Sequence, residues 1–430
     1  MEKTPVLSAS DAIQQIHSGD RILFSCHCGE PLTLLNSLVK QEERLEKVEL
    51  ISGLLFGSFP YVDRPSFKFS TWQSVPFLGK FIAEGKVHFL PLRYSQTAST
   101  FLPEGPLPVD AVFIRVSPPD QNGFCSIGLS PSFSLPVSLR AKKVIAEISE
   151  EIPRSPGNSF IHRSRITCFA ESTFPPIEYR IDDILDEDEK IADYVAELIE
   201  DGSTIEIGIG KIPSAVSRNL LTKKNLAIHS GMVSDEIIDL VEAGAVPITR
   251  GSHKNRIVVG ELIGTQKLFS FAHENPIFDM GTVDVVYSPV VISRIPKFVA
   301  VNSAIEIDLT GQVNSEIVDG LQVAGVGGAF DFCIGASLSQ GGKAIIALTS
   351  TAKKGQISRI VPQLPPGCKV SIPRHYVDYV VTEHGIAPLA GKTLVERAEA
   401  LIRIAHPKFR DDLYDQFDQR MRNGSSGVPT

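Results

Sequence analysis

One ten-residue pattern returns about 180 residues after its first appearance, and this recurrence constrains the fold more than any other feature of the chain. Ile16–Ser25 reads IHSGDRILFS, Ile199–Gly208 reads IEDGSTIEIG, and the two align without a gap. In the first copy Ser10 is placed to cap a helix carrying Ala12, Ile13 and Ile16, Gly19 stops it, and Arg21–Ser25 reads as a buried strand. In the second, Ile191, Val195, Leu198 and Ile199 form the helical stripe, Gly202 stops it, and Ser203–Ile207 is the strand. A later echo pairs AKKVIAEIS (Ala141–Ser149) with GKAIIALTS (Gly342–Ser350), both buried-strand patterns late in their halves. Solenoid repeats have periods of roughly 20–50 residues, so this spacing indicates duplicated domains instead. Apolar strands alternating with amphipathic helices imply parallel sheets covered on both faces. The expected fold class is α/β: two related open α/β/α domains, at residues 1–185 and 186–422, with a loose tail at 423–430. Pro175-Pro176 and the acidic run Asp182–Glu189 read as the linker between them.

Composition narrows the function classes. A formal charge of −8 argues against a general nucleic-acid binder but leaves room for a local basic pocket. The N-terminus lacks the pattern of a signal peptide, and no apolar run is long enough to cross a bilayer. Six cysteines in so long a chain are not a disulfide framework. Cys26 and Cys28 flank His27 too tightly for the usual zinc pairs, so no metal is expected there and both thiols read as buried and inert. The plain expectation is a cytoplasmic protein that binds neither membrane nor nucleic acid.

Two glycine-rich loops carry the chemistry. Gly208-Ile209-Gly210-Lys211-Ile212 follows a strand and opens a helix, with Pro213 in its first turn. Free amides at such a terminus favour a phosphate or an oxyanion. A nicotinamide site fits poorly, since proline replaces the third glycine and no ribose-binding acid follows at the expected distance. Gly325-Val326-Gly327-Gly328 is the second loop. Two such loops suit a thioester, whose carbonyl needs amide donors when a nucleophile attacks.

The segments GIGKIP, LAIHSGMVSD, VNSAIEIDLTGQV, GVGGAFDF, STAKKGQISRIVP, YVVTEHGIAPLAGKTLVERAEALIRIAHPKFR and VSPPDQNGFCSIG resemble the acetyl-CoA hydrolase/transferase family, most nearly its 4-hydroxybutyrate CoA-transferases. The resemblance runs in order from about Asp11 to Arg410. It implies two CoA-transferase-type domains, a site between them, acyl-CoA as substrate with a carboxylic acid as the second partner, and a homo-oligomer. It also implies CoA contacts from Gly208, Ile209, Gly210, Lys211, Ile212, Gly325, Gly328 and Lys353, with Gly327 and Gly328 as the oxyanion turn. Members carry a glutamate in the segment matching HSGM, which takes the acyl group as an anhydride and then carries CoA as a glutamyl thioester.

Here that position is Gly231. Ala329 stands where the family usually has glutamine, and His384 where it usually has tyrosine. The first reading is redirected thioester chemistry (hydrolysis, decarboxylation or carbon–carbon bond chemistry), with Gly231 opening room for water or a larger acyl group. The second is a transferase with a relocated carboxylate. Glu261, where relatives have an apolar residue, is its candidate; Glu306 is family-like and less surprising. The third is a non-catalytic CoA-ester binder. His384 is the better acid–base candidate, and His229 reads as packed. Glu30 and Glu383 match acids that position loops, and His253–Arg256 reads as a solvated basic loop.

Overall fold

The computed structural model of the protein describes residues 4–247 and 256–424. The duplicated sequence pattern becomes a duplicated sheet. Among the described residues each half builds an eight-stranded sheet. Counted in chain order from the strand of the repeated segment, seven strands follow the order 4-3-2-1-5-6-7 in both. Arg21–Phe24 and Thr204–Ile207 are strand 1 of their halves, and Lys143–Ile148 and Lys343–Ala347 are strand 6, so both sequence echoes fall on matching strands. The eighth strands differ. Val6–Leu7 adds parallel to Cys168–Glu171, whereas Gly385–Pro388 turns back antiparallel on Tyr379–Thr382. Every other strand pair in the two sheets is parallel.

Burial follows the period of two that a doubly covered sheet requires. Val299, Val301, Ile345 and Ala347 pack into one core with the helices Asp186–Leu198, Lys211–Asn219 and Glu236–Glu242. Phe298, Ala300, Ala344 and Ile346 face the other way, into a core that runs on into the first half. The two halves therefore share apolar packing. In each, strand 1 lies between strands 2 and 5, the reversal of strand order where α/β sheets open a crevice at their carboxyl ends.

Several local expectations need correction. Ser8, not Ser10, caps the helix Ala9–Ile13, its hydroxyl accepting from the Asp11 N–H. The acidic run is only half linker: Asp186–Glu189 form the first turn of Asp186–Leu198, where negative charge meets the positive end of the helix dipole. Asn423 and Gly424 belong to the helix Pro407–Gly424 rather than to a tail. Of the basic segment His253–Arg256, only Arg256 lies within the described residues, 3.7 Å from Asp279.

Candidate functional site

Glu261 ends up where the two halves meet. It lies near the carboxyl end of the strand Ile257–Leu262 and is fully buried. The first half surrounds its carboxylate with donors. Tyr94 donates to Oε1 at 3.0 Å, Ser132 donates to the same oxygen, and Ser130 donates to Oε2. His27 Nδ1 stands 3.6 Å from Oε2. A buried carboxylate without partners would cost several kcal/mol, so these hydroxyls make its position tolerable. The backbone fixes the approach: Leu262 N–H donates to Leu129 O at 2.9 Å, and Val283 N–H to Ser132 O at 3.1 Å.

The local sequence explains the donors. Ser130-Pro131-Ser132-Phe133-Ser134 places three serines in alternation, and all three are fully buried. His27 follows strand 1 of the first half and has φ 59, in the left-handed region. The repeat aligns it with Gly210, φ 118, in the second half. The same turn thus follows strand 1 twice, but one copy holds an imidazole against Glu261 at the strain a non-glycine residue carries there. Cys26 Sγ contacts His27 Nδ1 at 2.9 Å. Both thiols are buried as expected, and burial pushes the Cys26 thiol well up and the Cys28 thiol up to about 12. Burial also lifts Glu30 to about 7 against the pull of the Phe56 and Gly57 N–H groups that it accepts, which tie down the neighbouring loop.

Gly231 does not open a space. Tyr287 fills it, donating from its hydroxyl to Gly231 O at 3.0 Å. A Cβ on Gly231 would stand 2.7 Å from the ring, and one on Gly328 would stand 2.6 Å from it. The expectation of room for water or a larger acyl group therefore fails, because an aromatic ring from a distant segment already occupies the place. Tyr287 stacks on Tyr94 with ring centroids 4.3 Å apart, which links Gly231 and Gly328 to the Glu261 cage.

The glycine turns divide between two surroundings. Gly327 has φ 56, and its carbonyl accepts from Tyr94 N–H at 2.9 Å. Asp331, just beyond the turn, accepts from Arg93 at 2.8 Å and from the Ser95 N–H at 3.1 Å. Gln73 lies beside Gly325 and Gly327, and its side-chain oxygen is buried without a hydrogen-bond partner. The other turn, Gly208–Ile212, follows Ile207, whose carbonyl accepts from the hydroxyl of Ser230 next to Gly231 at 2.9 Å; Gly210 precedes the helix Lys211–Asn219, and a Cβ on Gly208 or Gly210 would meet nothing within 4 Å. Lys353 sits in the hairpin Thr351–Ala352/Ile357–Ser358, 3.4 Å from Asp319, at a cleft of about 200 Å³ lined also by Glu306, Arg359 and Cys368.

His384 is not part of the Glu261 cage. It occupies the turn before Gly385–Pro388, 3.5 Å from Glu383 and edge-on to His406. Glu383 accepts from both the N–H and the hydroxyl of Ser350, a loop-holding role. His229 is packed as expected, its Nε2 2.9 Å from Val286 O. Of the five catalytic candidates read from the sequence, the structure gathers Gly231, Glu261, Gly327 and Gly328 around Tyr94 and Tyr287 and sets His384 apart. Sequence reasoning missed Tyr94, Ser130, Ser132, Tyr287 and Gln73, of which only the buried serine alternation left a readable trace.

The acetyl-CoA hydrolase/transferase N-terminal domain matches residues 2–196, and the C-terminal domain of the same description matches residues 264–417. The chain is 42% identical to a 4-hydroxybutyrate coenzyme A transferase of Clostridium kluyveri, over 97% of this chain and 98% of that one. It is 37% identical to a succinyl-CoA:cyclohexane-1-carboxylate CoA transferase of Geobacter metallireducens, over 95% and 94%. The solved structure of RipA from Yersinia pestis superposes with a TM-score of 0.90 at 29% identity, covering 97% of this chain and 98% of that one.

Proposed function

We propose, because the chain belongs to the acetyl-CoA hydrolase/transferase family, that it moves CoA between an acyl-CoA and a carboxylic acid, with Glu261 as the carboxylate that takes the acyl group. The observation that carries this reading is the cage: a fully buried carboxylate in the second half, held by three hydroxyls of the first. In a transferase of this type the carboxylate is nucleophile and leaving group in turn. Gly231, the position the family resemblance assigns to that role, has no side chain to offer.

Each step balances on Glu261. Its carboxylate oxygen attacks the thioester carbonyl, the C–S bond breaks, and CoA leaves as thiolate with the acyl group held as a mixed anhydride. The thiolate then attacks the glutamyl carbonyl, releasing the first acid and leaving a glutamyl-CoA thioester. An incoming carboxylate reverses both steps and departs as the new acyl-CoA. Backbone amides of the Gly325–Gly328 turn and the Gln73 amide, beside Gly325 and Gly327, are the groups we assign to the thioester oxygen. Gly208–Ile212 and Lys353, each beside open space, are the contacts we assign to the rest of CoA.

One observation favours a second reading, thioester cleavage without a covalent adduct: Glu261 has no exposed surface and is hydrogen-bonded by Tyr94, which stacks on Tyr287. Incubation with acetyl-CoA and labelled acetate, followed by peptide mass spectrometry, separates the two. The transferase reading expects label in acetyl-CoA and a CoA adduct on the peptide containing Glu261. It expects Glu261→Gln to lose exchange by about three orders of magnitude or more, as loss of a nucleophile does. Free CoA with no adduct supports the second reading, and undiminished exchange by Glu261→Gln ends the first.

A further inference from the structure

Tyr287 lies in a slot made of glycines. Cβ atoms on Gly231, Gly260 and Gly328 would stand 2.7, 3.1 and 2.6 Å from its ring, against about 3.5–4.0 Å for ordinary carbon contacts. These glycines belong to two neighbouring strands, Ala227–Val233 and Ile257–Leu262, and to the residue before the helix Ala329–Leu338. Side chains are absent from all three elements where one ring enters. The ring is fixed by its hydroxyl on Gly231 O, by stacking on Tyr94, and by contact with Phe332 at a centroid distance of 5.3 Å. On the reading that Glu261 accepts the acyl group, Tyr287 touches Gly328 of the turn and stacks on Tyr94, which donates to that carboxylate.

The geometry points to Tyr287 as the residue that sets acyl-group size, confining the substrate to short, slender acyl chains. An acyl group that reaches Glu261 must share or take the ring's place, so the ring's volume is subtracted from what the chain can occupy. Glycine at the three flanking positions means that shortening this one residue opens the whole slot.

The test measures binding of acetyl-, butyryl- and hexanoyl-CoA by calorimetry, alongside adduct formation, for the unaltered protein and for Tyr287→Phe, Tyr287→Leu and Tyr287→Ala. The Leu variant fills more of the slot than Ala and keeps the test open where Ala does not fold. The unaltered protein and Tyr287→Phe are expected to favour acetyl-CoA. The Leu and Ala variants are expected to shift the hexanoyl-to-acetyl preference by about tenfold or more, since a single methylene in a fitted pocket is worth that much. An unchanged preference in folded Leu and Ala variants overturns the inference. Because binding is read without turnover, a shifted preference with no adduct on Glu261 sustains the slot and overturns the acceptor role. An adduct on Glu261 with an unshifted preference does the reverse. Failure of the unaltered protein to bind any of the three esters overturns both.

Discussion

Adding one methyl group at Gly231 tests the occupied slot most directly. Gly231 lies in a strand and outside the left-handed region, so its backbone accepts alanine and only packing opposes the change. The new Cβ stands 2.7 Å from the Tyr287 ring edge and hydroxyl, about 1 Å inside ordinary contact distance. The ring has little freedom to yield between Tyr94 and Phe332. Overpacking of this kind costs about 1–3 kcal/mol, and weakening the Tyr287–Gly231 hydrogen bond adds about 1 kcal/mol. Gly231→Ala is therefore expected to lose about 2–4 kcal/mol in urea denaturation. Tyr287→Ala alone should lose about 3–5 kcal/mol by leaving a cavity. The double variant should be no less stable than Tyr287→Ala, because the methyl then enters vacant space, giving a coupling of about 2–4 kcal/mol. Full stability of Gly231→Ala, or additivity within about 0.5 kcal/mol, refutes the reasoning. The same arithmetic says that Gly231→Glu cannot by itself return a working carboxylate to that position; Tyr287 must be shortened with it.

Two further predictions concern buried titrating groups. Burial lifts the Glu206 carboxyl to about 8, against the pull of the Asn302 side chain and the Val301 N–H. Its stabilising effect is complete below about pH 4.5, where both states are protonated, and is lost as pH rises toward 8, by at most about 1.4 kcal/mol per pH unit. Glu206→Gln should flatten denaturation midpoints measured from pH 5 to 8, and slopes matching the unaltered protein would contradict the assignment. Cys26, Cys28, Cys125, Cys168 and Cys333 are buried and Cys368 is only partly covered. Burial raises all their pKa values, so a thiol reagent at pH 8 should label at most Cys368 before unfolding. Rapid native labelling of Cys26 would show that the cage opens readily.

The fold was legible in the sequence because duplication writes itself into local pattern. A helix stop, a glycine and an apolar strand recur with the same grammar, and both copies became strand 1 of their sheets. Glu261 was legible for a different reason, as an acid at an apolar position within an apolar strand. Its partners were not, since Tyr94, Ser130 and Ser132 reach it from 129 to 167 residues away. No local periodicity encodes such a meeting. Tyr287 was hidden in the same way: Gly231 read alone suggests a vacancy, and only the third dimension shows what fills it. His384 stands beside Glu383 and His406 instead, because a motif position says which residue differs from relatives, not which side chain it faces.

The division of the cage between the halves also orders events during synthesis. Ser130 and Ser132 leave the ribosome well before Glu261, a lag of about 7–26 s at about 5–20 residues per second. Until then the three hydroxyls of the first half have no carboxylate to meet. The carboxylate thus works as a late latch. On the role proposed for Glu261, the newborn chain holds no assembled centre to act on a thioester until its second sheet closes over the first.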